Sequence, residues 1–334
     1  MDRDRSPLMV CPDCRGQLDQ QEAYFACQSC ATRYPSWLGT ISLVHSSDQD
    51  LDPIARQSLE AYPRSSFDDL LKLRTPTFST TDPALLARYH AYRQNMMERG
   101  RAFYEMARAS AETRDANIGN AYAIALGCGV GASMVRMSRD FAHVIGVDPS
   151  LPDLVLARKA CDELGITNIT LAHCYGERMP VASGVVDLII AENVLEHVPD
   201  LGSVLAEVGR VLKPGAAFVG DCANRFNMLR PEPHVQLWGV GLLPRKWQGR
   251  YVMWRRDFKN YDRSVHLKSY GQLLSALRKK LGPESTIEFP NAVAFGFSKR
   301  IDDVLDLIKR IPALKAMLLW IFPVFVAVGR RSRG

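Results

Sequence analysis

The sequence lacks an uninterrupted apolar run long enough to cross a membrane. Its longest apolar stretch, Ile311 to Gly329, contains Lys315, Pro312 and Pro323, whereas a membrane-spanning helix needs about 20 predominantly apolar residues. We therefore predict a helix followed by a buried strand in this stretch. The first ten residues also lack the apolar segment of a secretory signal. Both absences favour a cytoplasmic protein.

The chain also lacks a strong excess of one charge, because 42 basic residues accompany 36 acidic ones for a net charge of +6. Apolar residues make up 47% of the sequence and charged residues 23%. This composition can bury a core and is not that of a disordered or fibrous protein. Because the net charge is small, the distribution of charge along the chain is more informative than the net value.

The cysteines indicate a reducing compartment and one metal site. Four of the eight are scattered and are predicted to be buried thiols. The other four form two CxxC pairs: Cys11, Cys14, Cys27 and Cys30. Such pairs can bring four thiolates to a tetrahedral Zn²⁺, which then has no open coordination position. We therefore predict a structural zinc module in residues 1–45, with a metal-free relic or a redox dithiol as the alternatives.

Strands and helices alternate in the second part of the chain. From residue 122 onward, continuous apolar segments such as "YAIALGCG" and "VVDLIIAENV" alternate with helical patterns, which indicates an α/β protein with a parallel sheet covered on both faces. Residues 46–81 are polar, contain three prolines and are predicted to be a linker. Residues 82–334 form the main domain, which begins with a helical extension that Asp82 can cap.

A glycine-rich turn, "ALGCGVG", follows the first of these strands at residues 125–131. Glycine at 127, 129 and 131 allows a tight turn and a close approach of a ligand to the backbone. Asp148 ends the next strand, where an acidic side chain suits the two hydroxyls of a ribose; its alternative is a helix cap. A dinucleotide enzyme would usually show G-x-G-x-x-G, so the tighter spacing favours a ligand without a pyrophosphate.

Four ordered segments between residues 122 and 221 resemble the class I S-adenosylmethionine (SAM)-dependent methyltransferases, in particular the subgroup that includes ubiquinone and menaquinone methyltransferases. They are "ALGCGVG", "VDPS", "GERMPVASGVVDLIIAENVLEHVPD" and "AEVGRVLKPGAAFV". The resemblance implies a Rossmann-like, doubly wound sheet of seven strands, mostly parallel with the last strand antiparallel. The cysteine module resembles the zinc-ribbon family of tRNA-methyltransferase activators, which supports methyltransferases.

The resemblance also implies a set of SAM-binding residues. The three glycines would lie against the methionine part, Asp148 would bind the ribose, and Glu192 and Asn193 would lie near the transferred methyl group. Tyr175 stands where relatives often have an acidic residue that contacts adenine. Tyr175 could stack on the adenine there, and Glu177 could accept from its amino group. The full set is Gly127, Gly129, Gly131, Asp148, Tyr175, Glu177, Glu192 and Asn193.

The transferred methyl group of SAM already sits on a sulfonium, so the protein has to align a nucleophile with it and exclude water. A hydroxyl or amine acceptor also needs a base for its proton. The candidate bases are His197, His234 and His266, with Asp221 at the end of the fifth strand. A structural role is the alternative for His197 and a surface position for His266. Carbon methylation needs no strong base.

A basic and aromatic insertion, residues 224–268, is predicted to cover the substrate. It has a net charge of +7 and holds three of the five tryptophans, and it emerges at the carboxyl ends of the strands, where ligands bind in such sheets. Its chemistry suits an anionic or lipid-linked small molecule or a glycan, a membrane surface, or RNA. The alternative is a solvated helical face whose tryptophans belong to the core.

We therefore predict a SAM-dependent methyltransferase that acts on a small-molecule, lipid or glycan acceptor, with O-methylation favoured. It would be cytoplasmic and could contact the inner membrane surface peripherally. One alternative is an rRNA or tRNA methyltransferase, but the basic charge is concentrated on the insertion instead of forming a track. Another is a non-catalytic SAM-binding scaffold, against which the intact glycine turn and Asp148 argue.

Overall fold

The computed structural model describes residues 8–74, 81–111, 118–290 and 299–333. Residues 8–45 form a small antiparallel unit whose strands are β1 (Leu18–Gln20), β2 (Tyr24–Cys27), β3 (Arg33–Trp37) and β4 (Thr40–Ser42). Each CxxC pair closes a tight turn. The amide of Arg15 donates to the carbonyl of Cys11 (2.9 Å), and that of Ala31 donates to Cys27 (3.0 Å).

Four helices follow this unit: α1 (Pro53–Ala61), α2 (Phe67–Arg74), α3 (Pro83–Gln94) and α4 (Met96–Ser110). Asp52 caps α1 by accepting hydrogen bonds from the amides of Ile54 and Ala55. Residues 46–74, the described part of the segment 46–81 that we inferred to be a linker, thus contain helices. Their helices carry buried apolar side chains, among them Ala55 and Leu70, that pack against the main domain.

The main domain alternates strands and helices, as the sequence predicts. Its elements are β5 (Tyr122–Leu126), α5 (Ala132–Met137), β6 (His143–Asp148), α6 (Leu151–Glu163), β7 (Ile169–His173), β8 (Val186–Ala191), α7 (Leu201–Val211), β9 (Leu212–Ala223), α8 (Arg245–Arg256), α9 (Tyr261–Ser264), α10 (Tyr270–Lys280), β10 (Thr286–Glu288), α11 (Lys299–Lys309), α12 (Pro312–Leu319) and β11 (Val324–Arg330). The central strands are buried on both faces, which explains their continuous apolar sequences.

The strand order in the main domain is β7-β6-β5-β8-β9-β11-β10, and β11 alone runs antiparallel to both of its neighbours. The seven-stranded sheet with an antiparallel last strand is therefore confirmed. The order reverses at β5, where Leu126 pairs with Val147 of β6 on one side and with Ala191 of β8 on the other. A crevice outside the carboxyl ends of the strands at such a switch point is the usual ligand site.

The amino-terminal unit extends this sheet instead of standing apart from it. β4 pairs in parallel with β7, with Ile41 opposite Ala172, so that one sheet of eleven strands results. A physical reason is the edge of β7, whose backbone groups would otherwise be unpaired. The carboxylate of Asp13 also pairs with Arg178 from the loop after β7.

The apolar stretch near the end of the chain is divided between α12 and β11, in agreement with the predicted helix followed by a strand. β11 lies between β9 and β10 in the sheet. Among the described helices, none combines the length and apolar character that crossing a bilayer requires.

Candidate active site

The glycine-rich turn leads from β5 into α5 with three left-handed residues. Gly127, Gly129 and Gly131 have φ angles of +62°, +50° and +89°, a region that glycine enters without steric cost. A side chain at 127 would collide with Val194, whose Cγ2 atom would lie 2.3 Å from the added Cβ. At 129 an added Cβ would meet nothing within 4 Å. The turn therefore packs tightly at Gly127 and opens onto free space at Gly129.

Asp148 holds the turn against the end of β6. Its Oδ2 accepts from the Gly129 amide and its Oδ1 from the Ser150 amide, both at 2.8 Å. The side chain is buried, and burial, followed by the nearby Asp153, raises the pKa of Asp148 to about 7. Asp148 is not the cap that we weighed as an alternative, since the N-cap of α6 is Ser150, but its bond to the Ser150 amide gives it a structural role just before that helix. The same Asp148 carboxylate also lies beside the glycine turn, through its bond to the Gly129 amide.

A cleft of about 170 Å³ lies beside this turn. Its lining residues are Tyr92, Met96, Gly127, Cys128, Gly129, Val130, Ala132, Ser133, Asp153 and Glu192. Glu192 accepts a hydrogen bond from Ser133 Oγ (3.0 Å), and burial raises the pKa of Glu192. Tyr175 and Glu177 follow β7 but are absent from this lining, and the Tyr175 side chain is 59% exposed. Their role in adenine binding stays a prediction.

A second, larger pocket of about 500 Å³ shares Tyr92 with the cleft. Five parts of the chain form it: α3 and α4, the turn after β8, the end of β9, the insertion, and the start of β11. Its lining residues are Arg88, Tyr89, Tyr92, Arg99, Asn193, Glu196, His197, Asp221, Ala223, Arg230, Pro231, Pro233, His234, Gln236, Phe258, Ser264, Val265, Pro323 and Val324. Because Glu192 lines the cleft and Asn193 this pocket, the two cavities adjoin at the end of β8.

Two of the three candidate histidines meet in this pocket. The Nε2 atom of His234 lies 3.9 Å from Glu196 Oε1, and the rings of His197 and His234 are 5.0 Å apart. His266 is elsewhere. Its Nδ1 is 2.9 Å from an Arg245 nitrogen, and its Nε2 donates to the Arg263 carbonyl at 3.1 Å. Of the candidate bases, His197, His234 and Asp221 thus line this pocket and His266 does not, and the role of each as a base stays a prediction.

Hydrogen bonds orient both pocket histidines. Nδ1 of His234 donates to Glu232 Oε1 at 2.5 Å, and Nδ1 of His197 donates to the Ser264 carbonyl at 2.6 Å. Burial by itself lowers the pKa of His234, but the Glu232 carboxylate outweighs it, so that the pKa is raised. Burial, followed by repulsion from Glu196, raises the pKa of Asp221 well above its ordinary value.

Three arginines line the same pocket. One belongs to the basic insertion, and the other two, Arg88 and Arg99, were not expected there from the sequence. Arg88 belongs to α3, Arg99 to α4 and Arg230 to the insertion. Burial, followed by repulsion from Arg230 and Arg99, lowers the pKa of Arg88. No sequence motif marks Arg88 or Arg99. The spacing of Glu232 and His234, two residues apart, was a signal in the sequence that could have indicated a carboxylate bonded to the histidine ring.

The four paired cysteines form a compact cluster in the amino-terminal unit. All four Sγ atoms lie within 4.8 Å of one another, with 3.8 Å between Cys11 and Cys30 and 3.3 Å between Cys14 and Cys27. Tetrahedral zinc with bonds of ~2.3 Å separates its sulfur ligands by ~3.8 Å. The donor set and its spacing therefore fit Zn²⁺.

Comparisons with known proteins identify the central segment. Residues 124–220 match the family model described as "Methyltransferase domain". Proteins named ubiquinone biosynthesis O-methyltransferase from Azorhizobium caulinodans and Hahella chejuensis are 30% and 35% identical over 100 residues, which is 30% of this chain. The match covers 39% and 42% of those relatives, so the chain spans about two fifths of their length.

A solved structure, a SAM-dependent methyltransferase from Mesorhizobium loti, matches 67% of this chain and 96% of its own at 21% identity, with a TM-score of 0.46. The glycine turn and the cleft beside it lie at the switch point of the α/β sheet, the usual place for a ligand in such folds. The glycine turn also lies within residues 124–220, the segment that matches the methyltransferase-domain model.

Proposed function

We propose that this protein transfers the methyl group of SAM to a hydroxyl group of an anionic small-molecule, lipid-linked or glycan-type acceptor. The observation that carries the proposal is the pair of adjoining cavities that share Tyr92 and meet at Glu192 and Asn193. One has the features of a SAM cleft, and the other is large enough for a second substrate. Methyl transfer requires two ligands held end to end in this way.

The smaller cavity supports SAM binding. The open space beside Gly129 lets a ligand approach the backbone closely. Asp148 is within reach of the same turn and, when ionised, would accept from ribose hydroxyls. Glu192 would place a carboxylate near the cationic part of the cofactor. The cleft has a volume of about 170 Å³, so it would have to open further to hold the adenine of SAM.

In the proposed reaction, the acceptor oxygen attacks the methyl carbon of SAM. The new C–O bond forms while the C–S bond breaks, and the bonding electrons pass to sulfur, which leaves as the neutral thioether S-adenosylhomocysteine. The hydroxyl proton must also depart. We assign its removal to the cluster of Glu196, His197 and His234, because these side chains line the pocket beside the end of β8.

The acceptor's charge is inferred from the larger pocket. Arg88, Arg99 and Arg230 bring three permanent positive charges to its lining, and guanidinium groups bind phosphate and carboxylate oxygens in pairs. Aromatic side chains such as Phe258 and Tyr89 add apolar surface. An anionic group on an apolar body fits this combination better than a neutral polar molecule does.

A radiolabel experiment tests this function. Purified protein and SAM labelled in its methyl group are incubated with a cell extract, which is then separated into small-molecule, lipid, RNA and protein fractions. We expect label in the small-molecule or lipid fraction. Label confined to RNA would favour the RNA methyltransferase instead. An absence of label despite SAM binding would favour the non-catalytic scaffold.

The insertion also supports peripheral membrane contact. Its tryptophans Trp238, Trp247 and Trp254 are exposed, by 76% in the last case, so they do not belong to the core. Trp247 and Trp254 lie on α8, which has no acidic residue. The exposed cations on this helix are Lys246, Arg250 and Arg255. Trp beside Lys or Arg favours an anionic lipid interface. Flotation with vesicles containing anionic lipids should recover wild-type protein, and Trp254→Ala should reduce the bound fraction several-fold.

The cysteine cluster is proposed to hold a structural Zn²⁺. Bound zinc would stabilise the short hairpins of residues 8–42, whose strands are only three to five residues long. Cys27→Ser should remove about one zinc per chain and destabilise this unit. Cys161→Ser, a buried thiol in α6, should leave the zinc content unchanged. If the folded, zinc-free variant lost methyl transfer but kept SAM affinity and stability, a purely structural role would be wrong.

A further inference from the structure

The helix α3 and the insertion share one apolar core, although they lie far apart in the chain. Leu85, on α3, is only 2% exposed and belongs to a cluster of buried side chains whose other members come from the insertion, apart from Ala223 at the end of β9. Tyr89, one turn further along α3, packs against the same cluster. The members from the insertion are Val235, Leu237, Val240, Val252, Phe258, Tyr261, Val265 and Leu267. We refer to α3 and residues 224–268 together as the cap.

The guanidinium group of Arg256 joins the two parts of the cap. Arg256 is the last residue of α8, and its Nη1 donates to Asp82 Oδ2 at 3.1 Å. Asp82 comes directly before α3, and its Oδ1 accepts from the amides of Ala84 (2.9 Å) and Leu85 (3.3 Å). One carboxylate therefore caps α3 with one oxygen and pairs with the insertion through the other.

The other nitrogens of Arg256 hold the segment that follows His234. Nε donates to the Val235 carbonyl and Nη2 to the Gln236 carbonyl, each at 3.1 Å. The Tyr89 hydroxyl donates to the His234 carbonyl at 3.4 Å. Three consecutive carbonyl groups are thus bonded by two side chains of the cap. Because this segment lies outside the helices and strands, these bonds satisfy backbone groups that have no partner in a regular element.

The backbone at Gln236 shows why this segment has to be held. Its φ is +53°, a left-handed value that residues other than glycine rarely adopt and that persists only where the surroundings fix it. The Gln236 amide donates to the Glu232 carbonyl at 2.8 Å, and the Gln236 carbonyl accepts from Arg256. Loss of the Arg256 bonds would therefore release a strained segment next to His234, which lines the acceptor pocket.

We infer that Arg256 is a positioning residue of the acceptor pocket. Arg256 is absent from the described lining of both cavities, so it acts through the residues that it holds. The lining residues on α3 and on the segment bonded by Arg256 are Arg88, Tyr89, Tyr92, His234 and Gln236. By fixing α3 against residues 234–236, one guanidinium group sets the place of the arginine on α3 relative to the histidine on the insertion.

The consequence for catalysis rests on the proposed methyl transfer. Without Arg256, the acceptor would no longer be held in a fixed relation to His234, because Arg88 and His234 belong to the two parts of the cap. The glycine turn and Asp148 belong to other elements and should bind SAM nearly as in the wild type. An ion pair with a purely structural role would affect stability without this selective effect.

Hydrogen exchange of the full chain tests the positioning without relying on activity. In Arg256→Ala, exchange should become about 10- to 100-fold faster in α3 and in residues 232–238, because the bonds that hold them involve a charged group. The amides of β5 and β8 should keep their protection.

Arg108→Ala is the matched control for Arg256→Ala. Arg108 pairs with Asp140 at the same 3.1 Å and with similar burial, and neither residue is in the described lining of the cavities. This variant should leave the exchange of α3 and residues 232–238 unchanged. Normal protection of both segments in R256A, or an equal loss in R108A, would overturn the inference.

Two milder variants test the same contacts if Arg256→Ala does not fold. Arg256→Lys keeps a charge opposite Asp82 but cannot bond both carbonyls with the planar fork of arginine, so the loss of protection should be largest in residues 234–238. Asp82→Asn keeps the cap of α3, because Asn caps helices as well as Asp does, and should mainly loosen α3 through the lost ion pair. Full protection in both variants would overturn the inference.

Kinetics separate failure of this inference from failure of the proposed function. In R256A, kcat/KM for the acceptor should fall ~100-fold, since a misplacement of about 1 Å can have this effect, whereas SAM affinity measured by calorimetry should stay close to that of the wild type. Loss of protection in a protein that methylates nothing would support the hold of Arg256 on the cap and contradict the proposed function. Normal kcat/KM in R256A would leave the function standing and overturn the positioning role.

Discussion

The cofactor cleft and the acceptor pocket adjoin, but they are built in different ways. Six of the ten residues that line the cleft belong to the glycine turn and the first residues of α5, and Asp148 holds this turn from the next strand. The charged side chains of the pocket come instead from several separate elements: α3, α4, the turn after β8, the end of β9 and the insertion. A site made of backbone demands particular φ angles and tolerates few substitutions. A site made of side chains can change its ligand by substitution while the fold remains.

The largest effect is expected from a substitution in the acceptor pocket that slows methyl transfer without weakening SAM binding. His234→Gln should lower kcat ~100- to 10,000-fold, the usual range for loss of a group that assists proton removal. Because His234 lines the pocket and not the cleft, the Kd for SAM should be unchanged. Single-turnover methyl transfer and calorimetry measure the two quantities. His143→Gln should alter neither, and a parallel loss of SAM affinity in H234Q would show that the two cavities are not independent.

The next effect concerns the backbone of the cleft. Gly129→Ala places a methyl group in the open space where the cofactor would approach, and overpacking typically costs ~1–3 kcal/mol. We expect SAM affinity to fall about 10- to 100-fold.

Gly165→Ala is the matched control for that substitution. Gly165 also has a positive φ, of +64°, and an added Cβ would likewise meet nothing within 4 Å, but it follows α6 away from the cleft. Both variants should lose similar stability from backbone strain, roughly 1 kcal/mol. Only G129A should lose SAM affinity. Equal SAM affinity in the two variants would contradict the cleft as the cofactor site.

The same contrast explains what the sequence could predict. Gly127, Gly129, Gly131 and Asp148 lie within 22 positions of one another, in a strand–turn–helix–strand order that the apolar pattern reveals. The alternation of strands and helices likewise predicted a parallel sheet covered on both faces, whereas the position of the switch point came only with the structure. Such features depend on local backbone geometry, which nearby residues determine.

The acceptor pocket depends instead on long-range packing, which a single sequence does not display. Arg88 and Arg99 line the same pocket as His234 only because α3 and α4 pack beside the insertion and the end of β9. His266 and His234 look equivalent in sequence, yet Arg245 and the Arg263 carbonyl engage the ring of His266. The addition of β4 to the edge of β7 was also missed, because pairing between strands about 130 residues apart leaves no local pattern.

A third prediction concerns charge in the acceptor pocket. Arg88→Gln removes one of three guanidinium groups, and a hydrogen bond to a charged group contributes roughly 1.5–3 kcal/mol. We expect KM for an anionic acceptor to rise about 10-fold or more, with a smaller change in kcat. Steady-state kinetics at saturating SAM would measure both. An unchanged KM would place the anionic group elsewhere or make the acceptor neutral.

The smallest expected effect is a pH dependence of the cleft. Burial raises the pKa of Asp148 to about 7, above its ordinary value of 3.8, so the ligand-free protein is progressively destabilised as the pH rises from about 4 to 7 and this carboxyl ionises. Ribose hydroxyls donate to the ionised form, and SAM affinity should therefore fall roughly tenfold between pH 8 and pH 6. Asp148→Asn should bind SAM more weakly at pH 8 and show a flat profile. Calorimetric titrations at several pH values would measure this, and an identical slope in wild type and D148N would assign the pH dependence to another group. The acceptor pocket, whose arginines stay charged throughout this range, should contribute no such slope.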